Sequence, residues 1–502
     1  MIRIHQSGGK VLTREAPQGA VLADLLGSAC PERPCGGKGR CGKCRVRASG
    51  MLSDASDEER EVLGDDAIRA GLRLACSARV EGDADVWVGG DLSEKILEDG
   101  VMPRIRIRPV FSGYGAAVDI GTTTLAGRLY DHDGRLIGRE VSVNPQRSFG
   151  ADVMTRIDRS MKGGRAELAA CIRNAVDGLL GRMAGRAQVP KEQLDAVVLT
   201  GNTTMLYLFA ERPADCLAFA PYEADERFGR YAEGGEAGLP SFPKAAVYFP
   251  RCISAFVGAD TTCALLAGAI REGAAPALLA DIGTNGEMAL WDGEQLRCCS
   301  APAGPVFEGA EISCGMPARP GAIDRVFLRD GRVVCRVIGD EKAQGICGSG
   351  LIDAVSVLRD LGVIDATGHM EEAAFSLTPE VSLSQKDIRN VQMAKSAVLS
   401  GIRTLLESAL IRPEDVKRFA VAGGFGRFLD PRSAARIGLF PEKLAEKTEV
   451  LGNAALSGAS MILLDRVRME DARRIADAAR TVTLAGSETF AAYYMDGMYF
   501  PD

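Results

Sequence analysis

The feature that most restricts the fold of this chain is a short motif that occurs twice. The segment AAVDIGTTTLAGRLYD contains Asp119, and the segment LLADIGTNGEMALWDG contains Asp281. In each copy an apolar strand ends in Asp-Ile-Gly-Thr and a second strand follows, which predicts a β-hairpin with Gly and Thr in its turn. One Gly-Thr turn would mean little, since such turns are common. Two copies in one chain predict a duplicated fold.

Both predicted hairpins carry groups that suit phosphate. Free backbone N–H groups and hydroxyls in such turns hold phosphate oxygens. The Asp that ends the first strand, Asp119 or Asp281, is a hard oxygen ligand for Mg2+, directly or through water. The candidate phosphate-binding residues are Gly121, Thr122, Thr123 and Thr124 in the first copy, and Gly283, Thr284 and Asn285 in the second.

Further segments fall where a nucleotide cleft needs them. The segment VVLTGNTTM (197–205) predicts a strand that runs through Gly201, Asn202 and Thr203 into a helix, whose N-terminus would face phosphate. The segment FAVAGGFG (419–426) predicts a strand that ends in glycines, where backbone can lie against adenine or ribose. A tight strand-to-helix turn is the alternative for this segment. The glycines concerned are Gly423, Gly424 and Gly426.

Two predicted helix starts add polar candidates. The segment LGNAALSGA (451–459), which contains Asn453, opens a helix with small residues that permit close approach. The segment GADTTCALLAG (258–268) places Asp260 at a helix start. Asp260 is either a simple helix cap or a second carboxylate near the metal, and the sequence leaves both open.

The N-terminal part contains four cysteines with metal-site spacing. Cys35, Cys41, Cys44 and Cys76 give C-x5-C-x2-C-x31-C, close to the pattern of a plant-type ferredoxin. Such a [2Fe-2S] cluster takes three thiolates from one tight loop and the fourth from a separate strand or turn. The loop is rich in glycine, which suits it because a chain wrapped round sulfide needs conformations that glycine adopts at low cost. The sequence therefore predicts a [2Fe-2S] cluster.

Zinc is the alternative for these cysteines, because Cys-x2-Cys pairs also form tetrahedral sulfur sites. The cluster is favoured, since zinc ribbons usually pair two such knuckles and one is present. Cys30 is interpreted as a spare. Basic residues surround the loop, and they either offset the negative charge of the cluster or form a docking face for an acidic partner. These residues are Arg33, Lys38, Arg40, Lys43, Arg45 and Arg47.

The remainder of the N-terminal part predicts a small α+β domain. The segments MIRIHQ, KVLTRE, RVRASG and DVWVGG predict strands, and Ser56 with Glu59 predicts a capping box that opens a short acidic helix. Residues 91–112 have charged, extended character without periodicity, which predicts a linker. Its length would let the N-terminal domain move if the linker is not docked.

Composition excludes several classes of protein. A net charge of −7 and a pI near 5.4 argue against nucleic-acid binding. The sequence shows neither a signal peptide nor a run of about 18 apolar residues, so we expect no membrane span and a cytoplasmic protein. The 3 histidines lie outside every motif described above, which argues against triad-type catalysis.

These residues resemble the superfamily that contains acetate and sugar kinases, seventy-kilodalton heat-shock chaperones and actin. With the ferredoxin-like front, the whole chain is similar to the reductive activators of corrinoid-dependent methyltransferases. The segments AGPVFEGAEISCGM (303–316), GICGSGLID (345–353) and GGFG also carry this resemblance. One departure is that some members have an extra domain between ferredoxin and ATPase, for which this linker leaves no room. That departure puts the mode of partner docking in question.

The resemblance implies a fold and a domain plan. Residues 1–90 would form an α+β ferredoxin-like (β-grasp) domain, and residues 91–112 the linker. Residues 113–502 would form an α/β ATPase region of two duplicated ribonuclease H-like subdomains, about 113–275 and 276–502, that clamp ATP. Within this region Glu308 is a candidate to orient the attacking water, and an ordinary surface Glu is the alternative.

The resemblance also implies a reaction. The chain would return one electron to the Co(II) corrinoid of a methyltransferase system and restore Co(I), with ATP and Mg2+ as cofactors. A plant-type cluster has a reduction potential of about −400 mV. Because the potential of the cobalt couple is expected to lie lower, this transfer is uphill. A gap of ~150 mV corresponds to about 3.5 kcal/mol for one electron, which ATP hydrolysis can supply. The partners expected are a corrinoid protein and an unidentified electron donor, and a homodimer is left open.

The sequence leaves two other functions open. One is a small-molecule kinase with a redox-sensing ferredoxin domain, and the other is a chaperone-like ATP-dependent binding protein with a structural cluster. Cys314 and Cys347 have no cluster spacing and are predicted to be buried thiols. Cys298 and Cys299 would point to opposite faces of a strand and so would not grip one metal together.

Overall fold

The computed structural model describes residues 1–6, 11–26, 30, 39, 44–69, 71–88, 102, 105–150, 152–424 and 428–501. The chain divides into two compact units, Met1–Leu97 and Glu98–Asp502. Among the helices in these ranges, none is both long enough and apolar enough to cross a membrane.

The first unit contains a five-stranded mixed sheet with short helices. Its strands are β1 (Ile2–Gln6), β2 (Val11–Arg14), β3 (Arg45–Leu52), β4 (Leu72–Leu74) and β5 (Val80–Val88), in the order β2-β1-β5-β3-β4. Its helices are α1 (Leu22–Leu26), α2 (Asp57–Leu63) and α3 (Asp65–Arg69). β1 pairs antiparallel with β2 and parallel with β5, and β5 pairs antiparallel with β3. The four strands predicted in this part are therefore confirmed.

One apolar core holds this unit together. Ile2 and Ile4 on β1, like Val86 on β5, are fully buried, and they alternate with more exposed neighbours. This period of two places one face of the sheet on the core, because successive strand side chains point to opposite faces.

The predicted capping box at Ser56 is only half formed. The hydroxyl of Ser56 accepts a hydrogen bond from the backbone N–H of Glu59 at 3.2 Å, as predicted. The Glu59 carboxylate does not return to Ser56, and that part of the prediction is wrong. It is fully buried, pairs with Arg73 at 2.9 Å and accepts from the N–H of Leu74 at 2.6 Å. A buried carboxylate requires such partners, and Arg73 supplies an opposite charge that the Ser56 backbone lacks.

The second unit is built from two six-stranded sheets and smaller additions. Its strands are β6 (Tyr114–Ile120), β7 (Thr124–Asp131), β8 (Leu136–Val143), β9 (Leu194–Gly201), β10 (Arg230–Glu233), β11 (Ala246–Phe249), β12 (Ala277–Ile282), β13 (Gly286–Trp291), β14 (Leu296–Ala301), β15 (Ala322–Arg329), β16 (Arg332–Val337), β17 (Gly345–Ile346), β18 (Ala374–Ser376), β19 (Ser382–Ser384), β20 (Arg418–Gly423), β21 (Thr448–Gly452) and β22 (Ala479–Thr481).

Helices cover these sheets. The α-helices are α4 (Val153–Arg159), α5 (Arg165–Arg186), α6 (Thr203–Phe209), α7 (Asp215–Ala218), α8 (Ala259–Ala267), α9 (Gly348–Asp360), α10 (Gln385–Ser408), α11 (Pro431–Arg436), α12 (Ala454–Leu464), α13 (Arg466–Ala478) and α14 (Glu488–Asp496). A kink within Ser160–Gly164, where Gly163 has a φ of 93°, joins α4 to α5. Short 3-10 helices occur at Pro145–Ser148, Lys191–Gln193, Pro305–Glu308, Ile338–Asp340, Pro413–Asp415 and Glu442–Lys447.

Five strands of each large sheet repeat one topology, and the sixth lies at opposite edges, beside β11 in the first sheet and beside β14 in the second. The sheet orders are β10-β11-β9-β6-β7-β8 and β21-β20-β12-β13-β14-β22. In each, the first strand of the Asp-Ile-Gly-Thr hairpin pairs antiparallel with its hairpin partner, β6 with β7 and β12 with β13. On its other side it pairs parallel with β9 or β20. This common order confirms the duplication that the repeated motif predicts.

Two helices pack closely beside the repeated sheets. α8 and α12 belong to one apolar core, which includes Cys263 and Ala459. A Cβ at Gly458 would overlap the carbonyl oxygen of Cys263, so glycine permits the contact between these helices. The small residues at 451–459 were predicted to permit close approach, and they permit it between α12 and α8.

The adjacent Cys298 and Cys299 lie on β14 and are both fully buried. Cys298 belongs to the core with α8 and α12, whereas Cys299 belongs to the core with α10. The two side chains thus point to opposite faces of a sheet that is covered on both sides, as predicted.

The last part of the segment predicted as a linker is docked on the second unit. The N–H of Arg108 donates to the carbonyl of Leu464 at 2.8 Å, and its guanidinium pairs with Asp465 at 2.7 Å. Phe111 is buried in the core beside α12. Residues 108–111 are therefore fixed to the start of α13 and cannot act as a free tether.

Candidate functional site

The two Asp-Ile-Gly-Thr hairpins open onto one cleft of the second unit. Of the residues singled out from the sequence, fourteen line this cleft, namely Asp119, Gly121, Thr122, Thr124, Asn202, Asp260, Asp281, Gly283, Thr284, Asn285, Glu308, Gly423, Gly424 and Asn453. Gly426 lies outside the described residues. The chain thus brings together side chains from β6, β12, α8 and α12, far apart in sequence.

The two hairpins touch through their threonines. The hydroxyl oxygens of Thr123 and Thr284 are 3.1 Å apart. The Thr284 hydroxyl donates to Oε2 of Glu308 at 3.0 Å, so its oxygen is left to accept from Thr123. Glu308 ends the 3-10 helix Pro305–Glu308 and faces the cleft, which rules out the alternative of an ordinary surface Glu. Its role in orienting the attacking water stays a prediction.

A glycine stands opposite each hairpin on the neighbouring parallel strand. Ile120 pairs with Gly201, and Ile282 pairs with Gly423. A Cβ at Gly201 would lie 2.7 Å from the carbonyl oxygen of Ile120, and one at Gly423 would overlap that of Ile282. Both positions require glycine because the backbones approach closely. Gly201 therefore serves this packing and does not itself line the cleft.

Asn202 and Thr203 have different parts at the start of α6. Asn202 caps the helix by accepting from the N–H of Met205 at 2.9 Å, and its amide donates to Oγ1 of Thr122 at 3.0 Å. The hydroxyl of Thr203 donates to the carbonyl of Ser254 at 2.7 Å and is buried. Asn202 faces the cleft, whereas the Thr203 side chain is engaged away from it.

Asn453 joins the two halves of the site. Its side-chain oxygen caps α12 by accepting from Leu456 N–H at 2.8 Å. Its amide nitrogen donates to Oδ2 of Asp119 at 3.1 Å. The helix of the second repeat thus fixes the orientation of the Asp at the end of the first hairpin strand.

Asp260 is a cleft carboxylate and not a simple cap. The N-cap of α8 is Gly258, which offers no side chain. Asp260 lies in the first turn, accepts from the N–H of Thr261 at 2.7 Å and lines the cleft. The alternative of a simple cap is therefore wrong, and the place of Asp260 near a metal stays a prediction.

The cleft contains one carboxylate that sequence analysis missed. Glu287 lies on β13 directly opposite Asp281 and is buried at the cleft wall. A signal was present, since Glu287 is a charged residue inside the otherwise apolar run GEMALW. In the first repeat the equivalent position opposite Asp119 is Ala126, so the two hairpins differ in charge.

Burial raises the pKa of these carboxyl groups. The pKa of Asp281 rises to about 8 and that of Asp119 to about 7, first because of burial and then because of the charge of Asp260. Burial also raises the pKa of Asp260 to about 6. It raises the pKa of Glu308 and raises that of Glu287 well above its ordinary value. Among the described residues that line the cleft, no cationic side chain offsets these carboxyl groups.

This donor set suits a divalent cation. Among the described residues that line the cleft, five are acidic and none is Lys or Arg. No three acidic, His or Cys side chains of the described part of the chain come close enough to hold one metal ion by themselves. Mg2+ is typically held by one or two carboxylates together with substrate phosphates and waters. Asp119 and Asp281 fit that mode of binding.

The predicted cluster cysteines are described in part. Cys35 and Cys41 lie outside the described residues. The carbonyl of Cys44 accepts from the N–H of Ala75 at 2.8 Å. Burial raises the pKa of the Cys44 thiol, and the neighbouring Cys76 also acts on that pKa. Two thiols from separate segments therefore converge, as a cluster with one ligand outside the loop requires.

The remaining cysteines fit structural roles. Cys347 is buried and its thiol lies 3.4 Å from the hydroxyl of Ser349. Cys314 is only partly buried. The prediction of a buried thiol is thus confirmed for Cys347 and holds only in part for Cys314, which packs partly buried against the apolar core, with its Sγ near the carbonyl of Glu380.

The repeated sheets, the paired Gly-Thr hairpins and the acidic cleft define a class, the ATPase fold shared by actin and the sugar kinases. Residues 275–502 match the family model "C-terminal domain of RACo the ASKHA domain", and residues 114–272 match "RACo middle region". The chain belongs to the RACo family.

Individual proteins are similar over most of the chain. The "Corrinoid activation enzyme RamQ" of Eubacterium limosum is 32% identical over 78% of this chain and 70% of its own length. The "[Co(II) methylated amine-specific corrinoid protein] reductase" of Methanosarcina barkeri is 27% identical over 76% of each. A solved structure, "Reductive activator for corrinoid,iron-sulfur protein", superimposes with a TM-score of 0.75 at 25% identity, covering 100% of this chain and 98% of that one.

Proposed function

We propose that this chain is an ATP-dependent reductive activator that uses one electron to return a Co(II) corrinoid protein to Co(I). The observation that carries the proposal is the acidic cleft between two touching Gly-Thr hairpins, in a chain 32% identical to an enzyme named for corrinoid activation. A relative named as a Co(II) corrinoid protein reductase supports the same reaction.

The proposal includes a domain plan. Residues 1–90 form a ferredoxin-like β-grasp domain, which the sheet order β2-β1-β5-β3-β4 supports. Residues 113–502 form the ATPase region, with subdomains of about 113–275 and 276–502, and residues 91–112 connect the two parts. The docked residues 108–111 restrict any tether to the portion before them.

Cys35, Cys41, Cys44 and Cys76 hold a [2Fe-2S] cluster in this proposal. When bound, such a cluster supplies a one-electron relay with a reduction potential of about −400 mV. The nearness of Cys44 and Cys76 supports their part of the ligand set. The electron comes from an external low-potential donor and ends on the cobalt of the corrinoid protein, which changes from Co(II) to Co(I).

The cleft residues position ATP for hydrolysis. Backbone and hydroxyl groups of Thr122, Thr123 and Thr284 bind the phosphates from both sides, and Asp119 and Asp281 hold Mg2+ directly or through water. Glu308, fixed by its hydrogen bond from Thr284, orients the attacking water. Positioning and electrostatics supply most of the catalysis in phosphoryl transfer. Gly423 and Gly424 lie along the cleft wall where the adenosine would rest.

ATP drives the reduction through differential affinity. A conformation of the ATP-bound protein that prefers the corrinoid protein in a state of raised cobalt potential makes the uphill step possible. A gap of ~150 mV requires about 3.5 kcal/mol of such preference. The hydrogen bond from Asn453 to Asp119 joins the two repeats, so it would pass a change in the bound phosphates from one repeat to the other.

The test is the rate of ATP hydrolysis with different partners. We expect an oxidised, Co(II) corrinoid protein to raise the rate, and acetate or sugars to leave it unchanged. Phosphorylation of one of these small molecules would instead indicate a kinase. Full activation of the corrinoid protein by cluster-free protein would indicate a chaperone-like role. Either of those two results would overturn the proposal.

A further inference from the structure

A fully buried arginine lies directly behind the first phosphate hairpin. Arg156 projects from α4, and its Nη2 donates to the carbonyl of Thr122 at 2.7 Å. Its Nε donates to the carbonyl of Gly150 at 3.0 Å, and its Nη1 contacts Sδ of Met205 at 3.2 Å. These three acceptors are neutral. Through them, Arg156 connects the hairpin turn to α6, the helix that Asn202 caps.

The charge of Arg156 has no directly bonded counter-ion. Among the described residues, no carboxylate forms an ion pair with it, and its hydrogen bonds go to neutral atoms. The nearest influence of opposite sign is Asp152, whose carboxylate is used to cap α4 through the N–H of Thr155 at 2.8 Å. Burial lowers the pKa of Arg156 to about 10, so the guanidinium stays charged at neutral pH.

Asn144 completes the support of the hairpin. Its side-chain amide donates to the carbonyl of Gly121 at 2.8 Å, and its backbone N–H donates to the carbonyl of Thr123 at 2.8 Å. With the bond from Arg156 to Thr122, three consecutive carbonyls of the turn are bonded behind it. In a planar trans peptide the next N–H points opposite to the carbonyl. The N–H groups that follow these carbonyls therefore point away from Asn144 and Arg156.

The cleft itself needs such a charge. Its five acidic side chains repel a polyphosphate whenever they are ionised, and no Lys or Arg is among the described residues that line it. The exposed Arg147 acts on Glu308 from outside this lining. A positive charge buried behind the turn acts on a bound phosphate with little screening by salt, because screening is weak for buried groups.

We propose that Arg156 is a positioning residue of the nucleotide site. It turns the first hairpin so that its N–H groups face the phosphates, and it supplies buried positive charge that favours polyphosphate over less charged ligands. Arg156 does not touch the nucleotide and acts through the Thr122 carbonyl and its field. This inference rests on the proposed binding of ATP in the cleft.

The experiment compares Arg156→Met, Arg156→Lys and the matched control Arg159→Met in the full chain. Arg159 lies on the same helix but is exposed and pairs with Glu167. The affinities for ATP, ADP and AMP are measured with Mg2+ at low and high salt. We expect Arg156→Met to weaken ATP and ADP binding by about tenfold or more, as for loss of a charged hydrogen bond, and AMP binding much less. Arg156→Lys should stay within about threefold of wild type, since the charge remains.

The results separate this inference from the proposed function. Equal losses for ATP and AMP, or a loss in Arg156→Lys as large as in Arg156→Met, would show that Arg156 has a packing role only. A loss that disappears at high salt would contradict a buried charge. If Arg156→Met does not fold, Arg156→Lys and Arg156→Gln are compared by their ratio of ATP to AMP affinity. A lower ratio in Arg156→Gln supports the inference, and equal ratios contradict it. Wild-type protein that binds no nucleotide would contradict the proposed function itself, whereas normal binding by Arg156→Met would contradict this inference alone.

Discussion

The hydroxyl oxygens of Thr123 and Thr284 lie 3.1 Å apart, so equivalent turns of the two repeats meet across the cleft. Because Thr284 also donates to Glu308, these three side chains form one hydrogen-bonded row. A terminal phosphate held by both hairpins would lie against this row. The contact therefore connects the duplication of the fold with the proposed hydrolysis of ATP.

Thr284→Val should slow ATP hydrolysis while preserving the fold. Valine keeps the shape of threonine but removes the donor to Glu308 and the acceptor for Thr123. Loss of a hydrogen bond to a charged group is worth about 1.5–3 kcal/mol, which predicts a rate about ten- to a hundredfold lower. Phosphate release measures the rate. Thr481→Val, on the exposed part of β22, is the control and should hydrolyse ATP at the wild-type rate. An unchanged rate in Thr284→Val would show that the hydrogen-bonded row of Thr123, Thr284 and Glu308 has no part in hydrolysis.

Asp281→Asn should abolish ATPase activity but stabilise the nucleotide-free protein at pH 8. The folded-state pKa of Asp281 is raised to about 8 by burial. Its contribution to stability is fully present below the unfolded pKa of about 3.9 and is lost as pH rises through about 8. Asparagine has no such loss, so the variant should gain about 1–3 kcal/mol in free energy of unfolding at pH 8. Denaturant unfolding from pH 5 to 9 measures this, and parallel curves for variant and wild type would contradict it.

Binding of Mg2+ with ATP should release protons near neutral pH. Asp119 and Asp281 have pKa values raised to about 7 and about 8, so both are partly protonated there. Metal ligands must be deprotonated, so affinity should rise with pH between about 6 and 8. Calorimetry in two buffers of different ionisation enthalpy counts the released protons. Asp281→Asn should release fewer, and a heat of binding independent of buffer would speak against metal binding by these carboxyl groups.

Cys76→Ser should remove the visible spectrum of the cluster and the activation of the corrinoid protein while ATP hydrolysis persists. The reason is that the proposed ligands lie in the first unit, whereas the phosphate hairpins belong to the second. Cys30→Ser is the matched control, because Cys30 is interpreted as a spare. Loss of the spectrum in Cys30→Ser but not in Cys76→Ser would show that the ligand assignment is wrong.

The sequence predicted the parts of the site that repeat. Asp119 and Asp281 stand in copies of one motif, and a motif that specifies a strand, a turn and a second strand within a few residues can be recognised locally. The antiparallel pairing within each hairpin follows from the same local pattern, whereas the parallel neighbour of its first strand, β9 or β20, comes from much farther along the chain.

Long-range partners could not be predicted in this way. The bond from Asn453 to Asp119 joins residues 334 positions apart, and it depends on how α12 lies against the first repeat. Glu59 shows the same limit on a smaller scale. Its position predicts a return to Ser56, but a buried Arg73 on a neighbouring strand takes the carboxylate instead. Arg156 carried no signal in sequence, because a lone Arg on a helix is ordinarily exposed.

A nucleotide-dependent clamp is proposed to make an unfavourable one-electron reduction possible. Formation of Co(I) on a Co(II) corrinoid protein, followed by corrinoid absorbance with ATP and reductant each withheld in turn, tests this coupling. We expect Co(I) only when the protein, ATP and a low-potential reductant are all present. Conversion at the same rate and to the same extent without ATP would contradict it.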